Sequence, residues 1–331
     1  MKSGFEYPFK APTQYSKYER CADGLVRDLR KLDGIAADDR ASLIRLNSTY
    51  LDMIDRWYTI RGGVDTILMA VLAPGIIFLM VVFLFVVIIP YLISGGGYLI
   101  GAFSILSLGA LSWIICFVAK PALGKEFFSF THFPVRFNRK TRMIHVFRHN
   151  GQNGVLSVPW DQVYFHIGQG EVNRDLTDIR GHVMDGDNVI DTFSVGHFFG
   201  RDKQPVRQIW KFIVVYMEQG PQALPRDMVI GTSTSCSWAN CFLWAKSYCD
   251  IFLPIPLINW VAAALVTCMR WLVMQSCKEP VWPAEIEATS AIEPNDPYQW
   301  AEPRITGEFA KDDKVWAAML ARAKRRDKQE H

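Results

Sequence analysis

Hydrophobic positions along this chain gather into a few segments whose periodicities differ. The stretch from Ile67 to Ile93 carries no charged side chain and includes an unbroken apolar run from Ile76 to Ile89. A second uncharged run covers 98–119, and Ser94-Gly95-Gly96-Gly97 separates the two. About 20 apolar residues cross the hydrocarbon core of a bilayer as a helix, so both runs are long enough to span. So short a link cannot form a domain, so the spans must fold back as an antiparallel pair. Pro74 and Pro90 fall near the ends of the first run, where a lost backbone hydrogen bond is tolerable. The pattern predicts a transmembrane helical hairpin.

Upstream, Leu43, Leu46, Tyr50, Ile54 and Trp57 recur at spacings of three and four, which predicts one amphipathic helix. Asp38-Asp39 would open it and Gly62-Gly63 would end it, with Arg56 and Arg61 suiting the C-terminal end of its dipole. Downstream of Phe127 the period shortens. Strand-like pieces run over Phe133–Phe137, Met143–Arg148, Val155–Val158, Val163–Ile167, Ile179–Met184 and Val189–Val195. An Asn-Gly turn within 149–154 and Asp185-Gly186-Asp187-Asn188 separate pieces of this series. A helix follows, opened by Arg201-Asp202 and stopped by Gly220-Pro221.

A third uncharged run, 251–269, is broken by Pro254, Pro256 and Asn259 and flanked by Trp238, Trp244 and Trp271. It reads as a buried or membrane-surface helix. A true crossing would carry Arg322, Lys324, Arg325, Arg326 and Lys328 to the side that basic residues avoid. Prolines then punctuate an acidic arm, and Asp312-Asp313 would cap a basic final helix.

The expected fold class is therefore an α+β membrane protein. Its N-terminal transmembrane hairpin precedes a cytoplasmic antiparallel β-meander, pleckstrin-homology-like in element order, with a capping helix and C-terminal helices. The expected divisions are 1–63, 64–119 (spans 67–93 and 98–119), 120–220, 221–278 and 279–331. Arg45, Arg56 and Arg61 before the first span, and Lys120 and Lys125 after the second, would place both termini in the cytoplasm and the chain in a bacterial inner membrane.

Composition narrows the functional classes. The net charge of +3 comes without a dense basic stripe, so nucleic acid is not an expected partner. Seven scattered cysteines with no C-x-x-C pair fit a reducing compartment better than a disulfide framework. The segment from Met1 to Ile60 is polar, which predicts no cleavable signal peptide. Six of seven histidines lie between 132 and 197, but no H-E-x-x-H or close Cys/His spacing accompanies them, and no metal or cofactor is expected. No G-x-S-x-G, P-loop or dinucleotide loop is present, so the expectation is a non-catalytic protein. The densest basic cluster is Arg136, Arg139, Lys140 and Arg142. It falls at a turn soon after the second apolar run, which makes it the candidate contact for lipid headgroups or a partner.

The block Phe133–Arg142, with Val146-Phe147-Arg148, Val158–Asp161, Arg270–Met274, Pro280–Ile286 and Asp296-Pro297-Tyr298, resembles an uncharacterised proteobacterial family of two-pass membrane proteins. Its members are often encoded beside type VI secretion or polymorphic-toxin genes. The resemblance implies an accessory or immunity role, with membrane lipids and a secreted toxin or secretion-system component as partners. It implies no catalytic residues. A membrane-tethered lipid- or protein-binding module and a membrane-inserting effector are the alternatives.

Overall fold

The computed structural model describes residues 24–63, 65–67, 75, 78, 81–93, 106, 107, 109, 113, 126–148, 154–169, 176–186, 188–225, 232–299, 302, 303, 305 and 306. The chain forms two compact units. The first comprises 1–59, 130–243 and 278–331, and the second 60–129 and 244–277. The architecture is α+β with two antiparallel sheets.

In the first unit, β1 (Leu43–Leu46), β2 (Tyr50–Met53), β3 (Val135–Asn138), β4 (Met143–Phe147) and β5 (Val155–Pro159) form a five-stranded sheet in sequence order. A second meander pairs β6 (Val163–Gln169), β7 (Thr177–Asp185) and β8 (Asn188–Phe199). Helix α1 (Gln204–Gln219) follows, with a proline in its first turn and Gly220 at φ 91° ending it. Successive side chains on a strand face opposite ways, so each strand gives alternate residues to the core. Leu51, Met53, Val135, Phe137, Ile144, Val146 and Val158 line one face of the five-stranded sheet, and they share a buried cluster with Phe165, Ile179 and Phe193 of the other sheet. The same cluster takes Val206, Ile209, Trp210, Ile213 and Met217 of α1. Trp160 sits at its centre, stacked 5.5 Å from Trp210 and edge-on to Phe137. Gly181 is required here, since a Cβ would lie 2.5 Å from the Phe193 ring.

The amphipathic helix expected over 38–61 is corrected to the strand pair β1–β2. Asn47 is the local reason: its side-chain oxygen accepts from the backbone of Thr49 and Tyr50, both at 2.8 Å, and reverses the chain. Pairing of β2 with β3 then fixes the extended conformation. Every residue of β2 is buried, so its period of two is invisible in the sequence.

Helix α2 (Trp238–Phe252) begins in the first unit and ends in the second, and α3 (Pro256–Ser276) belongs to the second. The apolar run 251–269 is thus divided, with Pro256 placed in the first turn of α3, where its missing N–H is harmless. Arg270 approaches the backbone here: a Cβ on Gly62 would lie 2.5 Å from its Cα. The Glu126 carboxylate accepts from the backbone of Gly62 and Asp65, each at 3.1 Å.

Among the described residues α3 alone is long and apolar enough to cross a membrane. The transmembrane hairpin of the expected fold class is corrected accordingly. Its spans, 67–93 and 98–119, lie largely outside the described residues. The described part of the first is α-helical at 81–83, π-helical from Leu84 to Ile88 and α-helical again from Ile89 to Ile93. With one candidate helix, the multi-pass inner-membrane placement with two cytoplasmic termini does not stand. The polar start up to Ala22, the turn at 149–153 and the helix expected after Asp312 lie outside the described residues.

Candidate functional site

The five-stranded sheet carries a row of polar side chains on the face turned away from Leu51 and Phe137. Register sets it: Arg45 pairs with Asp52, Asp52 with Arg136, Arg136 with His145, and His145 with Ser157. The row therefore crosses all five strands.

Its centre is an ion pair. Arg136 Nε and Nη2 donate to the two oxygens of Asp52 at 2.8 and 2.9 Å, the bidentate arrangement that matches guanidinium to carboxylate. The Arg136 side chain is fully buried. The guanidinium carbon lies 3.8 Å from the ring centre of Tyr50 and 4.7 Å from that of Trp282. Glu287 accepts from Nη1 at 3.2 Å. Burial pulls the guanidinium pKa down, but Asp52 outweighs it and holds the group above its ordinary value.

His145 shares a 2.8 Å hydrogen bond between Nδ1 and the Ser157 hydroxyl. Its Nε2 is buried with no partner among the described residues. Burial and the neighbouring Arg136 cation push its pKa down to about 4, so the ring is neutral and a weak base at neutral pH. Trp282 packs edge-on to His145 and Phe147, at 6.5 and 5.7 Å between ring centres.

Trp282 belongs to a segment that lies along this face. Helix α4 (Ala284–Thr289) supplies Glu287, the Thr289 carbonyl accepts from Asn138 at 3.0 Å, and Asp296 accepts from the Ser48 hydroxyl at 2.7 Å. A cavity of about 40 Å³ opens beside the row, bordered by Arg45, Asp52, His132, Glu279, Trp282 and Glu302. That is room for a few water molecules, far below the volume a metabolite needs.

The four basic residues singled out in the sequence do not form one free surface. Arg136 is the buried partner of Asp52. Lys140 pairs with Glu293, and Arg142 with Asp161 at 2.8 Å and Glu218 at 3.1 Å. Hydrogen bonds to those two carboxylates hold Arg142 above its ordinary pKa. Arg139 donates its backbone N–H to Thr49 at 2.9 Å, and its guanidinium lies beside Gly220.

Sequence reasoning misses Tyr50, Asp52, Trp282 and Glu287, because each meets Arg136 only through long-range pairing. One signal is available. Arg136 lies between Val135 and Phe137 on an alternating strand, and so must face away from their side. A second missed pair is His166 and His182, with Nε2 atoms 2.7 Å apart in the three-stranded sheet. Among the described residues no group of three or more His, Cys, Asp or Glu side chains is placed to hold a metal ion.

No curated protein and no solved structure matches the chain. A family model described as "Family of unknown function (DUF6708)" matches residues 112–294, more than half of the chain. The blocks Phe133–Asp161 and Arg270–Ile286 fall inside that span, and the chain belongs to this family.

Proposed function

We propose that this is a non-catalytic partner-binding protein, serving as an accessory or immunity factor for an antibacterial secretion system of the type VI class. The observation that carries the non-catalytic half is the bidentate Arg136–Asp52 pair, closed over by Tyr50 and Trp282. Its charges are satisfied inside the chain, and the neighbouring His145 is too weak a base to activate Ser157 at neutral pH. The row supports a rigid platform. The secretion half rests on the resemblance of Phe133–Arg142 and the later blocks to proteins encoded beside toxin genes.

The partner in this reading is a protein, a toxin or a secretion component. Headgroup binding by the basic cluster is the weaker reading, because Arg136, Lys140 and Arg142 each have an acidic partner within the chain. The test is a competition between sibling bacteria. Deleting the gene with its neighbours should make a strain sensitive to its parent, and restoring this gene should return resistance or secretion. Unchanged survival and unchanged secretion would sink the proposal.

A further inference from the structure

Helix α3 buries Asn259, Thr267 and Arg270 and turns several large apolar side chains outward. Asn259, Ala263, Val266, Thr267, Arg270, Val273 and Met274 are buried, at spacings of three and four along one side. Two polar members of that side donate hydrogen bonds within the second unit. Asn259 donates to Asp250 at 3.0 Å and to the Leu253 carbonyl at 2.9 Å, and Arg270 donates to the Arg61 carbonyl at 3.1 Å. The opposite side presents Leu257, Val261, Leu265 and Leu272, between 49% and 77% exposed, with Trp260 at 57%.

A helix facing water arranges these classes the other way. We infer that the outward side of α3 is in contact with the acyl chains of a lipid bilayer. Two observations favour lipid over a second protein. The exposed side chains run the length of the helix, and 21 residues at 1.5 Å each give roughly 30 Å, the thickness of a hydrocarbon core. No charged residue occurs from Ile251 to Met269, whereas a protein partner's rim would call for some. The inward-facing Asn259, Thr267 and Arg270 follow the rule for polar residues at membrane depth. The inference concerns α3 alone and is independent of the secretion role.

The exposed Cys268 supplies the probe. In the full chain with its other cysteines replaced, a nitroxide at Cys268 is compared with nitroxides at Leu257→Cys, Val261→Cys, Leu265→Cys and Leu272→Cys. The protein is placed in phosphatidylcholine vesicles. Collisions with dissolved oxygen should exceed those with a water-soluble nickel chelate, most strongly near the middle of the helix. A nitroxide reached chiefly by the nickel chelate would show a water-facing surface and overturn the inference. A nitroxide sheltered from both reagents would show that protein covers this side, which overturns it equally. Because the variants lie at exposed positions, circular dichroism should match the parent and confirm that each is folded.

Discussion

Arg136 and Asp52 stand directly opposite each other on neighbouring strands, although they are far apart in sequence, and two hydrogen bonds join them. Such a pair gains its Coulomb energy only against a large loss of hydration, so its value appears when one partner is removed. Arg136→Met or Asp52→Leu alone should destabilise the first unit by about 3–5 kcal/mol, since each leaves a buried charge uncompensated. The double replacement should recover most of that loss. Urea denaturation of the four proteins measures the cycle, and equal additive losses would show that the two groups do not depend on each other.

Trp282 should be the main apolar anchor of the segment lying along the polar row. It contacts the guanidinium of Arg136 and the rings of His145 and Phe147. Trp282→Ala is expected to cost about 3–5 kcal/mol, the range for emptying a large buried aromatic site. Glu287→Ala should cost far less, because that carboxylate is half-exposed. Comparable losses in the two variants would show that charge, and not packing, holds the segment.

Asp39 links the stability of the first unit to pH. Burial, reinforced by the neighbouring Asp38, raises its carboxyl to about 7, against backbone hydrogen bonds that act the other way. The chain around it is tight, with Arg40 and Ala41 both in the left-handed region at φ 49° and 56°. A carboxyl raised in the folded state contributes its full stability below its unfolded pKa of about 3.9, and the contribution is lost as pH rises through about 7. Stability should therefore fall between about pH 4 and pH 7 and level off above it, with a slope of up to about 1.4 kcal/mol per pH unit. Asp39→Asn should flatten that dependence. An identical slope in the variant, followed by urea melts at each pH, would assign the effect to other groups.

The turn basic residues should matter little to lipid. Lys140 and Glu293 are both substantially exposed, so Lys140→Ala should change stability by less than about 1 kcal/mol. Reversing the charge of Arg139 and Lys140 should leave binding to anionic vesicles unchanged at physiological salt. A clear fall in co-sedimentation with those vesicles would return the turn to the set of headgroup contacts.

How far the sequence exposes this fold depends on how many faces each element buries. Strands β3 to β8 and α1 are legible because turn residues such as Asp185-Gly186 bound them and their periods are distinct. β1 and β2 are not legible. Leu43, Leu46 and Tyr50 happen to fall at helical spacing, and both faces of β2 are covered, so nothing local reports an alternation of two. The candidate site is half visible for the same reason. Arg136 can be seen to point away from Val135 and Phe137, but Asp52 and Trp282 reach it only through tertiary structure. Charge density along the chain suggests a free basic patch. The acids that neutralise it, Asp161, Glu218 and Glu293, sit between 19 and 153 residues away in sequence from the bases they meet.

The order of the five-stranded sheet also has a temporal side. Strand β2 ends at Met53 and its partner β3 begins at Val135, so one edge of β2 has no neighbour until the whole stretch from Ile54 to Pro134 has been made. At translation rates of about 5–20 residues per second, that interval lasts roughly 4–16 s. A β1–β2 hairpin formed in that interval would carry an open row of backbone donors and acceptors, together with the unmatched carboxylate of Asp52. An open edge invites wrong pairing, and a charge facing outward from a strand discourages it. On such an edge, the charge of Asp52 would act against wrong pairing until Arg136 arrives to meet it.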